Sequence, residues 1–431
     1  MTSEQDSGDR APVPLLEPDG GIPPVLETLA HLAPVAATFA AADGPVAVDA
    51  ERASGYRYGQ RAYLLQLRRA GAGTALIDPI ACRELGPMIA AIADAEWVLH
   101  AASQDIPCLA ELGLRPRRLF DTELAGRLLG YPRVGLGSMV ENVLGLTLEK
   151  GHSAVDWSVR PLPEPWLRYA ALDVEVLIDL RDALERELAD AGKLEWAEEE
   201  FAAIVAAPPP APRVDPWRRI SGLHRVRRPR QLAAVRTLWN TRDRIARIRD
   251  IAPGRILPDK AIVEAALTMP TTVEALGALP VFGGRSTRRS VDTWFAAIEE
   301  ARALGDAELP PAHLPATGPP PARSWADRDP VAAARLAALR AAVGATADKN
   351  NLPTENLLSP DSLRRYAWAP PDDVSRAGVA AALTSLGARR WQIELTAGPV
   401  ADALARLQAG IDVPALPVSL DDPEDEADEP A

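Results

Sequence analysis

Asp49 and Glu51 in VAVDAE, Asp105 in HAASQDIPCL, and Tyr169 with Asp173 in YAALDVEVL are the residues whose types and settings could do chemistry. Each acid lies in or beside an apolar run, where an ionised carboxylate is costly unless a cation or partner charge compensates it. Asp49 and Glu51 are two apart on an expected strand, so both side chains leave one face of the sheet. Tyr169 and Asp173 are four apart on an expected helix and stack on one side of it. Carboxylates that converge form an oxygen-rich cage for Mg²⁺ or Mn²⁺. A pair of such ions suits phosphodiester hydrolysis, because one activates water while both stabilise the attacking and leaving oxygens. Taken singly, each feature has a plainer reading. Asp49 and Glu51 would be a solvated strand end, Asp105 a helix cap, and Tyr169 with Asp173 a core tyrosine beside a surface acid.

The elements that must position these side chains follow from hydrophobic periodicity. Residues 46–49, 62–69 and 74–78 read as three consecutive strands, with Gly71 and Gly73 in the turn between the last two. A helix over 82–93, a strand over 97–100, a helix over about 104–112 and a short strand at Leu119 and Phe120 follow. From Glu164 to Ala191 the spacing is helical, with Leu167, Ala170, Ala171, Val174, Leu177, Ile178 and Leu180 as the inner stripe. Antiparallel strands first and strand–helix alternation later predict a mixed α/β sheet.

In their order and context, the three acidic segments resemble the exonuclease motifs of the DEDD superfamily, and in particular the ribonuclease D family. DAE at 49–51 is followed by YLLQL at 63–67 and LIDP at 76–79. LHAASQD ends at Asp105 and is followed by LFDTELAGRLLG at 119–130. GLGSMVENVLGLTLEK and DWSVRPL (156–162) then lead to the Y-x-x-x-D of Tyr169 and Asp173. The superfamily's other branch has His five residues before the last Asp; Arg168 stands there, which favours the tyrosine branch. The resemblance covers about residues 25–205 and implies a ribonuclease H-like fold. It also implies two divalent ions, Mg²⁺ or Mn²⁺, held by Asp49, Glu51, Asp105 and Asp173, with Asp49 bridging them. Tyr169 would orient the attacking water. Four such carboxylates repel one another, so the site is expected to tighten when metal binds.

A chain of 431 residues exceeds one compact core, and its prolines concentrate in two linker-like stretches. AAPPPAPRVDP (206–216) closes the first domain, and residues 303–330 form the second stretch. The expected organisation is a flexible N-terminus over 1–24 and an exonuclease domain over 25–207. A helical domain over 213–302, a linker over 303–330, a second helical domain over 331–410 and an acidic disordered tail over 411–431 follow. In the 213–302 block, Pro229 is placed to open the first long helix at N1, and Pro253 with Gly254 to end a second. This block resembles the HRDC domain, a helical module that assists nucleic-acid binding. The 331–410 stretch is expected to be a further HRDC-like, all-α module.

The net charge of −13 does not exclude a nucleic-acid substrate, because it is unevenly distributed. Seven acids and no base lie between Asp421 and Glu429, whereas residues 213–260 hold 14 Arg or Lys and four acids. Lys150, Asp156, Trp157 and Arg160, ahead of the third motif, are candidate contacts to substrate phosphate or base, and Arg225, Arg227, Arg228 and Arg230, with Arg285, Arg288 and Arg289, are candidate phosphate contacts. Arg242, Arg244, Arg247 and Arg249 form another cluster, in which Asp243 and Asp250 are available as partners. His100, Gln66 and Asp121 are expected to be structural, the last as an N-cap, and Cys82 and Cys108 to be inert core thiols. Two cysteines and no signal-peptide layout or long apolar run suit a reducing cytoplasm without a membrane anchor.

The resemblance implies a 3′→5′ exoribonuclease that trims single-stranded 3′ ends of tRNA precursors and other small RNAs, releasing nucleoside 5′-monophosphates. No obligate protein partner is evident. The alternatives are an exonuclease on single-stranded DNA and a catalytically silent RNA-binding scaffold.

Overall fold

The computed structural model describes residues 12–149, 151–152, 154–284, 289–314 and 318–410. It divides into two compact units. Of the described residues, the first comprises 12–52, Arg61–Pro208 and 318–410, and the second comprises Ala53–Gln60 and 209–314.

The first unit is built on a six-stranded mixed sheet. Its strands are β2 (Val25–Leu26), β3 (Val46–Arg52), β4 (Ala62–Arg69), β5 (Gly73–Ile77), β6 (Glu96–Leu99) and β7 (Arg118–Asp121), in the spatial order β2-β5-β4-β3-β6-β7. β3, β4 and β5 are antiparallel neighbours, while β6 and β7 continue from β3 in parallel. β4 is buried almost throughout, as expected of a central strand covered on both faces. The stretch expected to be a flexible N-terminus holds a strand as well: β1 (Val13–Leu15) pairs in parallel with β8 (Leu146–Leu148). Backbone pairing supplies the order that its polar surroundings did not suggest.

Helices α1 (Leu29–Ala41), α2 (Gly86–Ala91), α3 (Ile106–Glu111), α4 (Thr122–Leu129) and α5 (Leu136–Leu144) connect or follow the strands. α2 is shorter than the periodicity of 82–93 suggests. Asp78 first captures the Ile80 and Ala81 N–H groups with its side chain, holding the preceding residues in a turn. The 164–191 stretch is two helices, α6 (Glu164–Glu175) and α7 (Leu177–Asp190), which break at buried Val176. The break lets Leu177, Leu180, Leu184 and Leu188 enter the core, while α6 packs on β3, β4 and β5.

The helices after the second Pro-rich stretch share the core of this first unit. They are Pro330–Lys349, Thr354–Leu357, Pro360–Trp368, Arg376–Ser385 and Arg390–Gln408. They join α8 (Leu194–Ala206) through Trp391, which stacks on Trp196 at 5.0 Å and donates its indole N–H to Glu200. The Lys193 ammonium donates to the carbonyls of Leu128, Asn350 and Asn351. Gly130 closes α4 in the left-handed region, and a Cβ there would collide with the Asn351 side chain.

The second unit is helical around Trp217, Leu232, Val235, Leu238, Ile262, Phe282, Trp294 and Ile298. Pro229 does open a helix, but it is one 21-residue helix, Pro229–Arg249, closed by Asp250 in the left-handed region. Pro253 then begins the short helix Pro253–Ile256. No helix among the described residues is long and apolar enough to cross a membrane.

Candidate active site

Asp49 and Glu51 lie on one face of β3, opposite Gln66 and Leu64 of β4. Asp173 comes from α6, the helix laid across that face. One carboxylate oxygen from each of Asp49, Glu51 and Asp173 lies within 4.8 Å of the others. Asp105 stands outside this tight triad but beside it, close enough for Asp49 to act on its ionisation. The β3–β4 register shifts between Glu51 and Arg52, where Tyr63 of β4 is the extra, unpaired residue of a bulge. Arg52 then reaches Asp105 at 3.2 Å and the Gln104 carbonyl at 2.8 Å.

The turn that presents Asp105 is held from below by Asp121. Its carboxylate accepts from the N–H groups of Ala101 and Ala102, and from Glu123 and Leu124 at the start of α4. Ala101 sits at φ 58°, a conformation that a non-glycine residue keeps only when its surroundings impose it. Asp121 is therefore the N-cap that the sequence suggests, and it is also the clamp for the segment carrying Asp105. His100 is structural too, with Nδ1 against the Thr122 hydroxyl at 2.9 Å and burial lowering its pKa to about 4.

Burial and crowding push every acid of the cluster toward its protonated form. Desolvation is the first cause throughout. Asp49 rises to about 6 despite the Ala50 N–H and Arg52. Asp105 rises to about 7, with Asp49 adding to burial and Arg52 opposing. Glu51 rises to about 10 under Asp49, Asp173 and Asp105, and Asp173 moves well above the usual carboxylate range. Tyr169 bonds Asp173 and stays a neutral hydroxyl, its own pKa raised by burial and by Asp173 and Glu51. A donor set made only of carboxylate oxygens, short of compensating charge, fits a hard divalent cation.

Trp157, expected among the substrate contacts, is instead fully buried and helps brace Tyr169. The buried Trp157 ring lies 6.5 Å from it, and His152 meets it edge-on at 5.7 Å. Arg52 was missed, although a cation directly after an acidic motif is a usable signal. Gln66, expected to be structural, has no hydrogen-bond partner for either side-chain atom among the described residues.

Two candidate phosphate contacts are occupied otherwise. Arg160 binds Asp78 at 2.5 Å and the carbonyls of Tyr63, Trp157 and Val159. Arg230 pairs with Asp306 and donates to the carbonyls of Ala301, Arg302 and Leu304 at the C-terminal end of the helix Val291–Ala303. Both are internal fasteners. In the second cluster, Arg242 is buried against Asp259 and the Leu257 carbonyl, and Arg247 pairs with Asp243. Arg225, Arg227, Arg228, Arg244, Arg249 and Arg289 are exposed. Lys150, Arg285 and Arg288, like the acidic tail, lie outside the described residues.

Comparisons with known proteins match three segments of the chain to family models. Residues 25–189 match the family model described as 3′-5′ exonuclease, 231–298 match the HRDC domain, and 318–404 match a 3′ to 5′ exonuclease C-terminal domain. The last match falls on the helices that share the catalytic unit's core, where the sequence suggested a second HRDC-like module. Ribonuclease D of Granulibacter bethesdensis is 34% identical over 70% of this chain and 75% of its own length. A crystal structure of a protein from Bifidobacterium adolescentis superimposes with TM-score 0.85 at 38% identity, covering 91% of this chain and all of that one. Escherichia coli RNase D, an exoribonuclease involved in structured RNA processing, gives 0.63 at 27% identity over 84% and 98%. The chain belongs to the ribonuclease D family, and its sheet-based unit is a 3′–5′ exonuclease.

Proposed function

We propose that this enzyme shortens RNA from single-stranded 3′ ends, one nucleoside 5′-monophosphate at a time, with tRNA precursors and other small RNAs as substrates. The convergence of Asp49, Glu51 and Asp173 within 4.8 Å, in a place where they cannot all ionise unaided, carries this reading. Asp49, Glu51, Asp105 and Asp173 would hold two divalent ions, Mg²⁺ or Mn²⁺. When bound, such ions supply an ionised water and charge stabilisation for the scissile phosphate. The protein's own part is positional. Asp49 and Glu51 are fixed by the sheet, Asp173 by α6, and Asp105 by the Asp121-clamped turn. The Tyr169 hydroxyl, held neutral, is suited to orient water beside Asp173. Exposed Arg225, Arg227, Arg228 and Arg289 of the second unit are the remaining phosphate contacts proposed. Two buried free cysteines suit a reducing cytoplasm.

The test is digestion of a labelled tRNA precursor with a 3′ extension, beside matched RNA and DNA oligonucleotides, by wild type and Asp49→Ala. Stepwise loss of 3′ nucleotides from RNA, abolished in the variant while RNA binding persists, is the expected result. Equal residual hydrolysis in both proteins would refute the nuclease site, and preference for the DNA oligonucleotide would refute the RNA assignment.

A further inference from the structure

Gln66 is a polar side chain that the exonuclease reading leaves unexplained. It lies in the middle of β4, is 0% exposed, and neither its amide nitrogen nor its carbonyl oxygen has a hydrogen-bond partner among the described residues. A buried polar group without a partner costs about 1–3 kcal/mol. Methionine or leucine, of similar size, would fill this place without that cost.

Its position in the register shows what it could act on. Gln66 is the direct cross-strand partner of Asp49. Paired residues on antiparallel strands project from the same face, with Cβ atoms about 4.5–5.5 Å apart. Two residues further along β4, on that same face, Arg68 pairs with Glu175 of α6 at 2.6 Å. The Gln66 amide therefore projects toward the helix that carries Tyr169 and Asp173, alongside the Asp49 carboxylate. Asp49 itself has the Ala50 N–H and the more distant Arg52 charge to offset its burial.

We propose that Gln66 is a positioning residue for Asp49, its amide N–H donating to the Asp49 carboxylate when that carboxylate serves as a metal ligand. A ligating carboxylate needs its remaining lone pair satisfied and its plane fixed. A neutral amide does this without bringing a second positive charge against the cation, as an Arg or Lys at this place would. The inference rests on the reading of Asp49, Glu51, Asp105 and Asp173 as a divalent-cation site.

The test uses full-length Gln66→Met and Gln66→Leu, with two readouts independent of turnover. The first is thermal unfolding after EDTA treatment. The second is the Mn²⁺ dissociation constant, from the electron paramagnetic resonance signal of free Mn²⁺. Both variants should unfold at or above the wild-type temperature in EDTA and bind Mn²⁺ about 10–100-fold more weakly. Turnover should fall at low Mn²⁺ and recover at high Mn²⁺. Wild-type Mn²⁺ affinity in both variants would overturn the proposal. So would a fall of several degrees in EDTA, or failure of both variants to fold, since the amide would then be serving the fold alone. Absence of Mn²⁺ binding by wild type would instead overturn the metal-site reading, and this inference with it.

Discussion

The crowded acids make the enzyme's stability depend on pH in a direction opposite to that of most carboxylates. An acid whose pKa is raised on folding holds its proton in the native state after the unfolded chain has released its own. Native stability is then full below the unfolded pKa and is lost as pH rises toward the folded one. Asp49 moves from 3.8 to about 6. At about 1.4 kcal/mol per pH unit, that displacement alone removes about 3 kcal/mol across the interval. Glu51, displaced from 4.5 to about 10, continues the loss through neutral pH. For a unit of this size, about 3 kcal/mol corresponds to roughly 6 °C in melting temperature. Thermal unfolding of EDTA-treated protein, monitored by circular dichroism at pH 4 and 7.5 so as to span the Asp49 interval, should therefore show the lower Tm at pH 7.5. Asp49→Asn removes one titrating group and the charge that raises Glu51, Asp105 and Asp173, so it should flatten this difference. Saturating Mg²⁺ or Mn²⁺ should raise the wild-type Tm at pH 7.5 and do much less for Asp49→Asn. Equal pH slopes in wild type and Asp49→Asn would refute the account, because the slope would then come from acids elsewhere.

Tyr169→Phe keeps the contacts with Trp157 and His152 but loses the hydroxyl; steady-state assays should show kcat reduced roughly 10²-fold with KM little changed. Lys193→Met strips a charged donor from the carbonyls of Leu128, Asn350 and Asn351 and should cost about 3 kcal/mol in chemical denaturation. The combined replacement of Arg225, Arg227 and Arg228 by Ala should reduce the dependence of log K for single-stranded RNA on log salt by about 2, measured by fluorescence anisotropy. Arg230→Ala should leave that slope unchanged and lower the Tm of the second unit, because its guanidinium is spent on Asp306 and on backbone carbonyls.

What could be read in the sequence was what repeats with a period. Asp49 and Glu51 share a face because a strand alternates, and Tyr169 and Asp173 share one because a helix returns every three to four residues. The succession of β3 to β7 along the chain and the Asp121 cap followed from local patterning for the same reason, whereas the order of the strands across the sheet did not. The break between α6 and α7 did not, because no Pro or Gly marks Val176; tertiary packing of Leu177, Leu180, Leu184 and Leu188 decides it. The fate of individual arginines was equally hidden. Arg160 and Arg230 look like their exposed neighbours in sequence, and only the carbonyls that converge on them from distant segments distinguish the two roles. The C-terminal helices illustrate the same limit. A Pro-rich stretch ahead of them suggests independence, yet Lys193 and the Trp196–Trp391 stack merge them with the catalytic unit's core.

The residues supporting the acids divide according to the charge that each can tolerate near a cation. Asp121 is held by backbone N–H groups and fixes the turn that carries Asp105, while its charge is the last and smallest of those that raise that acid. Arg52 does approach the cluster, and it does so at its edge, from beyond a bulge, pairing with the one acid that stands outside the 4.8 Å triad. At the centre, beside Asp49, the polar side chain is the uncharged Gln66. A full positive charge there would satisfy Asp49 permanently and oppose any divalent ion, whereas a neutral amide leaves the acids in need of one. The same shortage of compensating charge that lowers stability at neutral pH is therefore what the site would use to hold its metal.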